Sequence, residues 1–239
     1  MTSRLLVPTI GPADWRRLLA DPAKQWKAGR SAYEVAVAWE SARRTPRGLP
    51  KDVADVLDRC EDLRDAHLLF GIPEHQVVLE GGGHASQTDL WALLRTPVGL
   101  VSMAVEGKAG EGFGQRVDEW LKDASPRSGK PRRLAQLCRI LALSEDRAHG
   151  CVYQLLHRSA AAILEAQRFG IDRAVLLVHS FLPEGHGSMT DFKAFGEQLG
   201  VHLAENEIVS AGVRDSVQLL VGCITSAPAT DAQVRAAVA

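Results

Sequence analysis

Two apolar segments joined by a short turn form the clearest pattern along the chain. Residues 89–95 and 100–106 each read as a strand, and Thr96-Pro97-Val98-Gly99 lies between them. Pro at the second position and Gly at the fourth suit a type I turn, which centres a hairpin between Pro97 and Val98. With the hairpin centred there, two residues face each other across the strands when their residue numbers add up to 195. A type I turn matches the twist of the strands less well than the primed turns do.

This register sorts the side chains of the hairpin by chemistry. Asp89 lies opposite Glu106 and Gln87 lies opposite Lys108, and the two-residue period of a strand puts all four on one face. The other face pairs apolar residues only: Leu90 with Val105, Ala92 with Met103, and Leu94 with Val101. A slip of one residue would break both faces, so the pattern specifies the register.

Helical and strand patterns alternate along the rest of the chain. Helical spacing predicts helices over residues 31–42, 111–122, 132–143, 146–169 and 191–200, and a helix or helix pair over 51–69. Short strands are predicted at 76–80, 174–181 and 216–224. The segment 174–181 is almost continuously apolar, which is typical of a strand buried on both faces. The Ala-rich last dozen residues either fray or form a terminal helix. These patterns predict an α/β fold in one domain, residues 1–239, with residues 1–30 wrapping onto its body.

Composition and charge narrow the class of protein. Apolar residues make up 46% of the chain, which argues against disorder. No apolar run reaches the length of a membrane span and no secretory signal is visible, so we expect a cytoplasmic protein without a membrane partner. The four cysteines are widely spaced, which predicts unpaired thiols and neither a zinc site nor a disulfide framework.

The charge distribution bears on nucleic-acid binding. A formal net charge of −1 argues against a dedicated DNA-binding surface, because phosphate neutralisation supplies most non-specific affinity. A basic stretch nevertheless runs through Arg127, Lys130, Arg132, Arg133 and Arg139. Two readings stay open for it: contact with a phosphate backbone, or a solvated linker and helix start.

The facing carboxylates of the hairpin point to metal chemistry. Two acids directly opposite each other, with Cβ atoms roughly 5 Å apart, repel unless a cation lies between them. Mg²⁺ prefers such hard oxygen ligands, one or two carboxylates with water and substrate phosphate completing the shell. Lys108 is placed to orient an attacking water and to stabilise charge on a phosphate.

Asp89 and the Glu106-Gly107-Lys108 tripeptide resemble the motif of the PD-(D/E)XK, or restriction-endonuclease-like, nucleases. The resemblance implies a mixed central sheet flanked by helices, with core order αβββαβ, and a site with Asp89 and Glu106 as ligands of Mg²⁺ or Mn²⁺ and Lys108 as the catalytic amine. Thr88 stands where the family pattern often has Pro. The order of elements matches over about residues 31–181, whereas the specific motif is three residues long.

The same resemblance suggests two further site residues. The family often adds an acid from its first core helix, and Glu34 or Glu40 is placed to supply it here. For Glu34 the alternative is a capping box with Ser31, three residues earlier. The family also can carry a polar residue on the helix after the metal strand, which makes Gln154 a candidate. Gln154 shares a helix face with Arg158, four residues on.

The leading prediction is therefore a metal-dependent phosphodiester hydrolase that acts on nucleic acid, with DNA favoured over RNA. The resemblance also allows a homodimer, since many nucleases of this class cut two strands as dimers. The alternative is a catalytically inactive restriction-endonuclease-like domain used to bind nucleic acid or protein, and the near-neutral charge favours it.

Three weaker readings remain. Gly81-Gly82-Gly83 lacks the Lys of a phosphate-binding P-loop and predicts a flexible turn, with His84 close to it. A serine hydrolase is suggested by Ser188, but its sequence context does not match a nucleophile elbow. His179 and His186 lack the spacing of a zinc motif and are expected to be structural.

Overall fold

The computed structural model describes residues 9–122, 124–125, 127–181 and 186–238, with side chains from 189 onward in the last range. In the described part of the chain the helices are α1 (Pro22–Gln25), α2 (Ser31–Ala42), α3 (Lys51–Leu57), α4 (Val117–Leu121), α5 (Lys130–Leu141), α6 (Glu145–His149), α7 (Tyr153–Arg168), α8 (His186–Leu199) and α9 (Asp231–Val238). Two 3₁₀ segments add Pro12–Leu18 and Glu61–Leu63. Among these helices, none is both long and apolar enough to cross a membrane.

Six strands in the described residues form one mixed, open sheet. They are β1 (His67–Val77), β2 (Ser86–Thr96), β3 (Gly99–Lys108), β4 (Arg173–Ser180), β5 (Glu207–Arg214) and β6 (Val217–Thr225). The sheet order is β1-β2-β3-β4-β6-β5. The β1/β2, β2/β3 and β5/β6 pairs are antiparallel, and β4 runs parallel to both β3 and β6. The fold is therefore a mixed α/β sheet flanked by helices.

Each face of the sheet carries its own buried apolar cluster. One cluster joins α5, α7 and α8 to side chains such as Trp91 and Ala104. The other joins α2 and α3 to the hairpin side chains Leu90, Ala92, Leu94, Val101, Met103 and Val105. The central strands are consequently covered on both faces, and a site that is open to solvent has to lie near the ends of the strands.

The hairpin and the central strands confirm the predicted pattern. β2 and β3 pair from Leu90–Val105 to Thr96–Gly99 in the predicted register, with the turn at Pro97 and Val98. The predicted pairs Asp89–Glu106 and Gln87–Lys108 are not formed, because the ladder ends at Leu90–Val105. The helix predicted at 31–42 is α2, and the strands predicted at 174–181 and 216–224 are β4 and β6. Every residue of β4 after Arg173 is buried, as the continuous apolar run predicted.

Four predicted elements before and after the hairpin have the wrong extent or type, and one strand was not predicted. The helix or helix pair predicted over 51–69 is α3, which ends at Leu57, and the 3₁₀ segment Glu61–Leu63. Residues 67–69 belong to β1, and the strand predicted at 76–80 is the end of this long strand, residues 67–77. Hydrogen bonding to β2 overrides the helical spacing there. The helix predicted over 146–169 divides into α6 and α7, because Val152 forms a β-bridge with Arg116. Helix α4 is shorter than the predicted 111–122, and β5 was not predicted.

The described part of the N-terminal segment packs onto α2. The indole Nε1 of Trp15 donates to Glu40 Oε1 at 2.9 Å, and both residues are buried. The rings of Trp26 and Tyr33 meet edge to face with centroids 5.4 Å apart. Burial of the Glu40 carboxyl raises its pKa, even though the Trp15 hydrogen bond opposes this shift. Glu40 therefore joins this segment to the body of the fold.

Candidate functional site

The site lies where β2 and β3 separate. Beyond the Leu90–Val105 pair, Asp89 Oδ2 accepts a hydrogen bond from the Gly107 amide at 2.6 Å. Glu106 and Lys108 continue β3 and pair with Val178 and Ser180 of β4. Beyond this point β2 and β3 are no longer joined by backbone hydrogen bonds, and side chains lie in the opening between the two strands.

Glu106 is at the centre of a buried ionic cluster. Its Oε1 accepts hydrogen bonds from Lys108 Nζ at 2.8 Å and Gln154 Nε2 at 2.7 Å. Its Oε2 accepts one from Arg158 Nε at 2.6 Å. Burial would raise the pKa of the Glu106 carboxyl, but Lys108 and Arg158 outweigh burial and lower the pKa to about 2. Glu106 is therefore ionised and fixed in orientation.

Helix α7 supplies the polar side of this cluster. Gln154 Oε1 also accepts from Lys108 Nζ at 3.1 Å, so the Gln154 amide contacts both Glu106 and Lys108. Arg158, one turn later, donates to Ser86 Oγ at 3.1 Å as well as to Glu106. Lys108 Nζ also lies 4.8 Å from the centroid of the Phe113 ring. The predicted placement of Gln154 beside Glu106 and Lys108 agrees with this geometry.

Glu74 of β1 is an acid of this site that the sequence analysis missed. It faces the same cavity as Asp89, and Gln87 Nε2 donates to its Oε2 at 2.8 Å. Its Oε1 is buried and has no hydrogen-bond partner among the described residues. Glu74 also adopts a positive φ of 52° within its strand. Such a backbone conformation is costly for a residue with a side chain and is concentrated at functional sites.

The Glu74 and Asp89 carboxyls hold protons more tightly than free acids do. Burial, followed by the charge of Asp89, raises the pKa of Glu74 to about 9. Burial, followed by the charge of Glu106, raises the pKa of Asp89 to about 7. Three acids in this inner group oppose only two cations, Lys108 and Arg158. The group therefore has room for one further positive charge, either a proton or a metal ion.

These side chains line an open cavity of about 550 Å³, which we call the carboxylate cavity. Its inner wall consists of Glu74, Asp89, Glu106, Lys108 and Arg158. Glu111, nearer the surface, also lines the cavity and accepts from the Ala109 amide at 3.0 Å. When Glu74 and Asp89 are ionised, the acids outnumber the cations, and the cavity then repels a phosphate unless a cation is bound in it.

Glu34 and Glu40 are placed elsewhere in the described structure. The Glu34 carboxylate accepts from the Gly29 amide at 2.7 Å and the Ala229 amide at 2.6 Å, and it lines a separate cavity. It forms no capping box with Ser31, because α2 begins after Arg30 without a side-chain cap. Glu34 thus fastens the C-terminal segment to α2, and Glu40 holds Trp15. The structure places Glu74 beside Asp89 instead.

The sequence contained weak signals for the residues that were missed. Arg158 lies one helical turn after Gln154 on α7, so the helical spacing alone puts its side chain on the same helix face as Gln154. Glu74 was missed because it falls between the helical spacing predicted for 51–69 and the strand predicted for 76–80, in residues for which no element was predicted. In the observed pairing, Pro73 faces Leu90 and His75 faces Thr88, which puts Glu74 next to Asp89. That relationship depends on the true extent of β1.

The donor set can accommodate a divalent cation at the carboxylate cavity. No group of three or more His, Cys, Asp or Glu side chains in the described residues is arranged to hold a metal. Mg²⁺ needs only one or two carboxylates, with water and phosphate as its other ligands. The unpartnered Glu74 Oε1 and the adjacent Asp89 fit that requirement. A carboxylate has about four acceptor positions, and three neighbours occupy three of those on Glu106.

The remaining candidate residues lie outside this cluster. His84 lines a neighbouring cavity, and its carbonyl accepts from Arg133 Nη1 at 2.8 Å. His179 is buried, and burial lowers its pKa to about 3, while its Nε2 lies 3.0 Å from Ser226 Oγ. The side chains of His186 and Ser188 lie outside the described residues, and so does Gly185. All four cysteines are free thiols, as predicted.

The fold and the site together define a mixed α/β protein with a buried Glu-Lys-Arg cluster beside an acid-rich cavity. A family model described as "Domain of unknown function (DUF6946)" matches residues 8–228. The chain therefore belongs to that family. No curated protein matches the chain, and no solved structure matches it.

Proposed function

We propose that this chain is a metal-dependent nuclease that hydrolyses phosphodiester bonds, with DNA favoured over RNA as the substrate. The observation that carries the proposal is the meeting of Asp89, Glu106 and Lys108 beside one open cavity, on a hairpin whose opposite face is apolar and buried. The succession of α2, β1, β2, β3, α7 and β4 supports a restriction-endonuclease-like αβββαβ core.

The charges of the cavity support metal dependence. Glu74 and Asp89 are the acids with raised pKa values, and a divalent cation would replace the proton that they otherwise retain. When bound, such an ion supplies a more acidic water and neutralises charge on the phosphate. Asp89 and Glu74 would hold it, and Glu106 has one acceptor position left for it or for its water.

The remaining side chains have positioning roles in this proposal. Lys108 is held between Glu106 and Gln154, so its ammonium group is fixed where an attacking water and a phosphate oxygen would lie. Arg158 keeps Glu106 ionised and oriented. Gln154 links Glu106 to Lys108 and thereby fixes the distance between the carboxylate and the amine.

One observation favours a second candidate function, a nucleic-acid or protein-binding domain without catalysis. Glu106 is already neutralised by two cations, and Arg158 occupies one of its oxygens. A guanidinium so placed can take over the structural role of a metal ion. Calorimetry with Mg²⁺ or Mn²⁺, with and without DNA, separates the two functions, because the binding domain would take up no metal.

Cleavage assays test the nuclease directly. Asp89→Asn and Lys108→Met keep the size of each side chain but remove its charge, and each should reduce Mg²⁺- or Mn²⁺-dependent cleavage of DNA and RNA by at least about 100-fold. Lys122→Met is the matched control, since Lys122 is exposed and outside the cavity. Circular dichroism and thermal unfolding establish that the variants fold. Unchanged cleavage by either site variant rejects the assignment.

A further inference from the structure

A second cavity adjoins the carboxylate cavity, and the two share Tyr153 and His157 as a common wall. It has a volume of about 470 Å³ and is lined by the Gly81–Gly83 loop, Trp120, Lys130 and Arg133, among others. We call it the aromatic cavity. The two cavities are therefore direct neighbours on the protein.

The charges of the aromatic cavity have the opposite sign. Its lining includes Lys130 and Arg133 and, among the described residues, no Asp or Glu. Arg133 is only 9% exposed, and its guanidinium has no carboxylate partner in the described structure. A buried charge is normally paired with an opposite one. This side chain is therefore an unpaired cation beside a cavity, which favours an anionic ligand.

The glycine loop is built around this cation. Arg133 donates hydrogen bonds to the carbonyls of Glu80, Gly82 and His84. In a trans peptide the N–H points away from the carbonyl, so the amides that follow these carbonyls point away from Arg133. The Gly83 amide has no acceptor among the described residues, although the loop lines the cavity. The loop is thus fixed with backbone donors available.

Close packing leaves no room for side chains at the base of the loop. A Cβ on Gly81 would lie 2.0 Å from the Gly129 carbonyl oxygen, and Gly81, Gly82 and Gly83 all have positive φ. A Cβ on Gly82 would meet nothing within 4 Å, so the tip of the loop is open. The glycines therefore keep the loop closely packed at one end and accessible at the other.

Aromatic rings form the opposite side of the cavity. Trp120 and Tyr153 stack with centroids 4.1 Å apart and an interplanar angle of 12°, and Tyr153 also contacts His157 at 4.7 Å. Lys130 Nζ lies 5.4 Å from the centroid of the Trp120 ring. Because the ring faces are already stacked, the ring edges are left to contact a ligand, and edges attract the face of another aromatic ring.

From these observations we infer that the aromatic cavity binds a nucleoside phosphate, with Lys130 and the loop amides contacting the phosphate and the rings contacting the base. The inference rests on the proposed function for its source, a nucleic-acid strand in which this nucleotide is adjacent to the scissile phosphodiester. A free nucleotide has the same chemistry and is the other source that the experiment distinguishes.

Binding is measured with the full chain in EDTA, which prevents metal-dependent cleavage. The probes are adenosine 5′-monophosphate, adenosine, and a fluorescein-labelled single-stranded DNA 12-mer, followed by calorimetry or fluorescence anisotropy. We expect at least one phosphate-containing probe to bind and adenosine to bind at least about tenfold more weakly. Binding of the monophosphate points to a free nucleotide, whereas binding of the 12-mer alone points to a strand.

Variants show whether the aromatic cavity is responsible. Lys130→Ala should weaken binding about tenfold and lower the slope of log affinity against log salt by about one. Trp120→Ala should weaken it about fivefold, and Trp120→Phe should restore most of the loss. Arg132→Ala is the matched control, because Arg132 is close to Lys130 on α5, pairs with Glu80 and does not line the cavity.

The inference is overturned if neither phosphate probe binds to the unmodified chain, or if Lys130→Ala and Arg132→Ala lose equal affinity. Failure of the nuclease proposal is a different outcome. In that case the probes bind in EDTA with the expected variant effects, but DNA and RNA remain uncleaved with Mg²⁺ or Mn²⁺. Conversely, cleavage with unaltered substrate affinity in Trp120→Ala and Lys130→Ala rejects the aromatic cavity alone.

Discussion

The Gly107 amide donates a hydrogen bond to the Asp89 carboxylate over 2.6 Å, at the point where β2 and β3 stop pairing. A side chain thus takes the backbone donor that a continued ladder would have used. This bond fixes one oxygen of Asp89, and Asp89 lines the same cavity as Glu106 and Lys108. The site therefore forms at the position where the two strands of the hairpin separate, and the same hydrogen bond belongs to both features.

Gly107 itself should be intolerant of a side chain. A Cβ there would lie 2.5 Å from Val35 Cγ2 and 3.2 Å from Asp89 Oδ2. We expect Gly107→Ala to lower the free energy of unfolding by about 1–3 kcal/mol, because α2 packs directly over the strand. Urea unfolding measures the loss. Gly112→Ala is the control, since a Cβ at Gly112 meets nothing within 4 Å, and equal stability of the two variants would contradict the packing.

The Glu106–Arg158 pair should be sensitive to removal of one partner. Arg158→Met leaves a buried carboxylate with less compensation, and we expect the free energy of unfolding to fall by about 3 kcal/mol. Arg168→Met, on the same helix but 68% exposed at its side chain, should change it by less than about 0.5 kcal/mol. Combining Glu106→Gln with Arg158→Met should recover part of the loss in a double-mutant cycle. Strict additivity would mean that the pair is not coupled.

The pH dependence of stability should reflect Glu74 and Asp89. Their folded-state pKa values, about 9 and about 7, lie above the ordinary values of free acids. Between about pH 4 and pH 9 the folded chain then holds protons that the unfolded chain has released, so stability falls as pH rises. Glu74→Gln should reduce that fall and raise the free energy of unfolding at pH 8 by about 1 kcal/mol.

Chemical unfolding from pH 5 to pH 9 measures this effect. The exposed Glu61→Gln serves as the control, because Glu61 is remote from the cavity lining. Glu106 contributes with the opposite sign. Its pKa, lowered to about 2, gives stability that is present above the ordinary glutamate pKa and is lost as pH falls toward 2. A flat stability profile from pH 5 to pH 9 would be inconsistent with the raised pKa values of Glu74 and Asp89.

Divalent metal should stabilise the folded chain through the same acids. At a free Mg²⁺ or Mn²⁺ concentration 100 times the Kd, the gain is about 2.7 kcal/mol. We expect a larger gain at pH 8 than at pH 5.5, because the cation displaces a carboxyl proton. Asp89→Asn and Glu74→Gln should remove most of it, whereas the exposed Asp146→Asn should leave it unchanged. Thermal unfolding with and without the metal measures the shift, and equal shifts in all the variants would point to binding elsewhere.

The sequence by itself determined the hairpin and what it carries. Alternating apolar positions and a Pro-Val turn fixed the register, and the register put Asp89, Glu106 and Lys108 near one another. A one-residue slip would have buried the charged face, so local chemistry left little choice. The spacing of Gln154 on α7 could likewise be predicted, because helical periodicity sets which residues share a face.

Only the tertiary structure decided which other side chains lie beside Asp89, Glu106 and Lys108. From His67 onward the chain pairs with β2 as strand β1 instead of following the helical spacing of 51–69, and that pairing brings Glu74 beside Asp89. Glu34 was a candidate site acid because of its position on α2, but its carboxylate accepts hydrogen bonds from the Gly29 and Ala229 amides instead. The physical reason is that strand register and helix pitch are local properties. The partners of a buried charge, in contrast, depend on elements that are distant in sequence and come together only when the core packs.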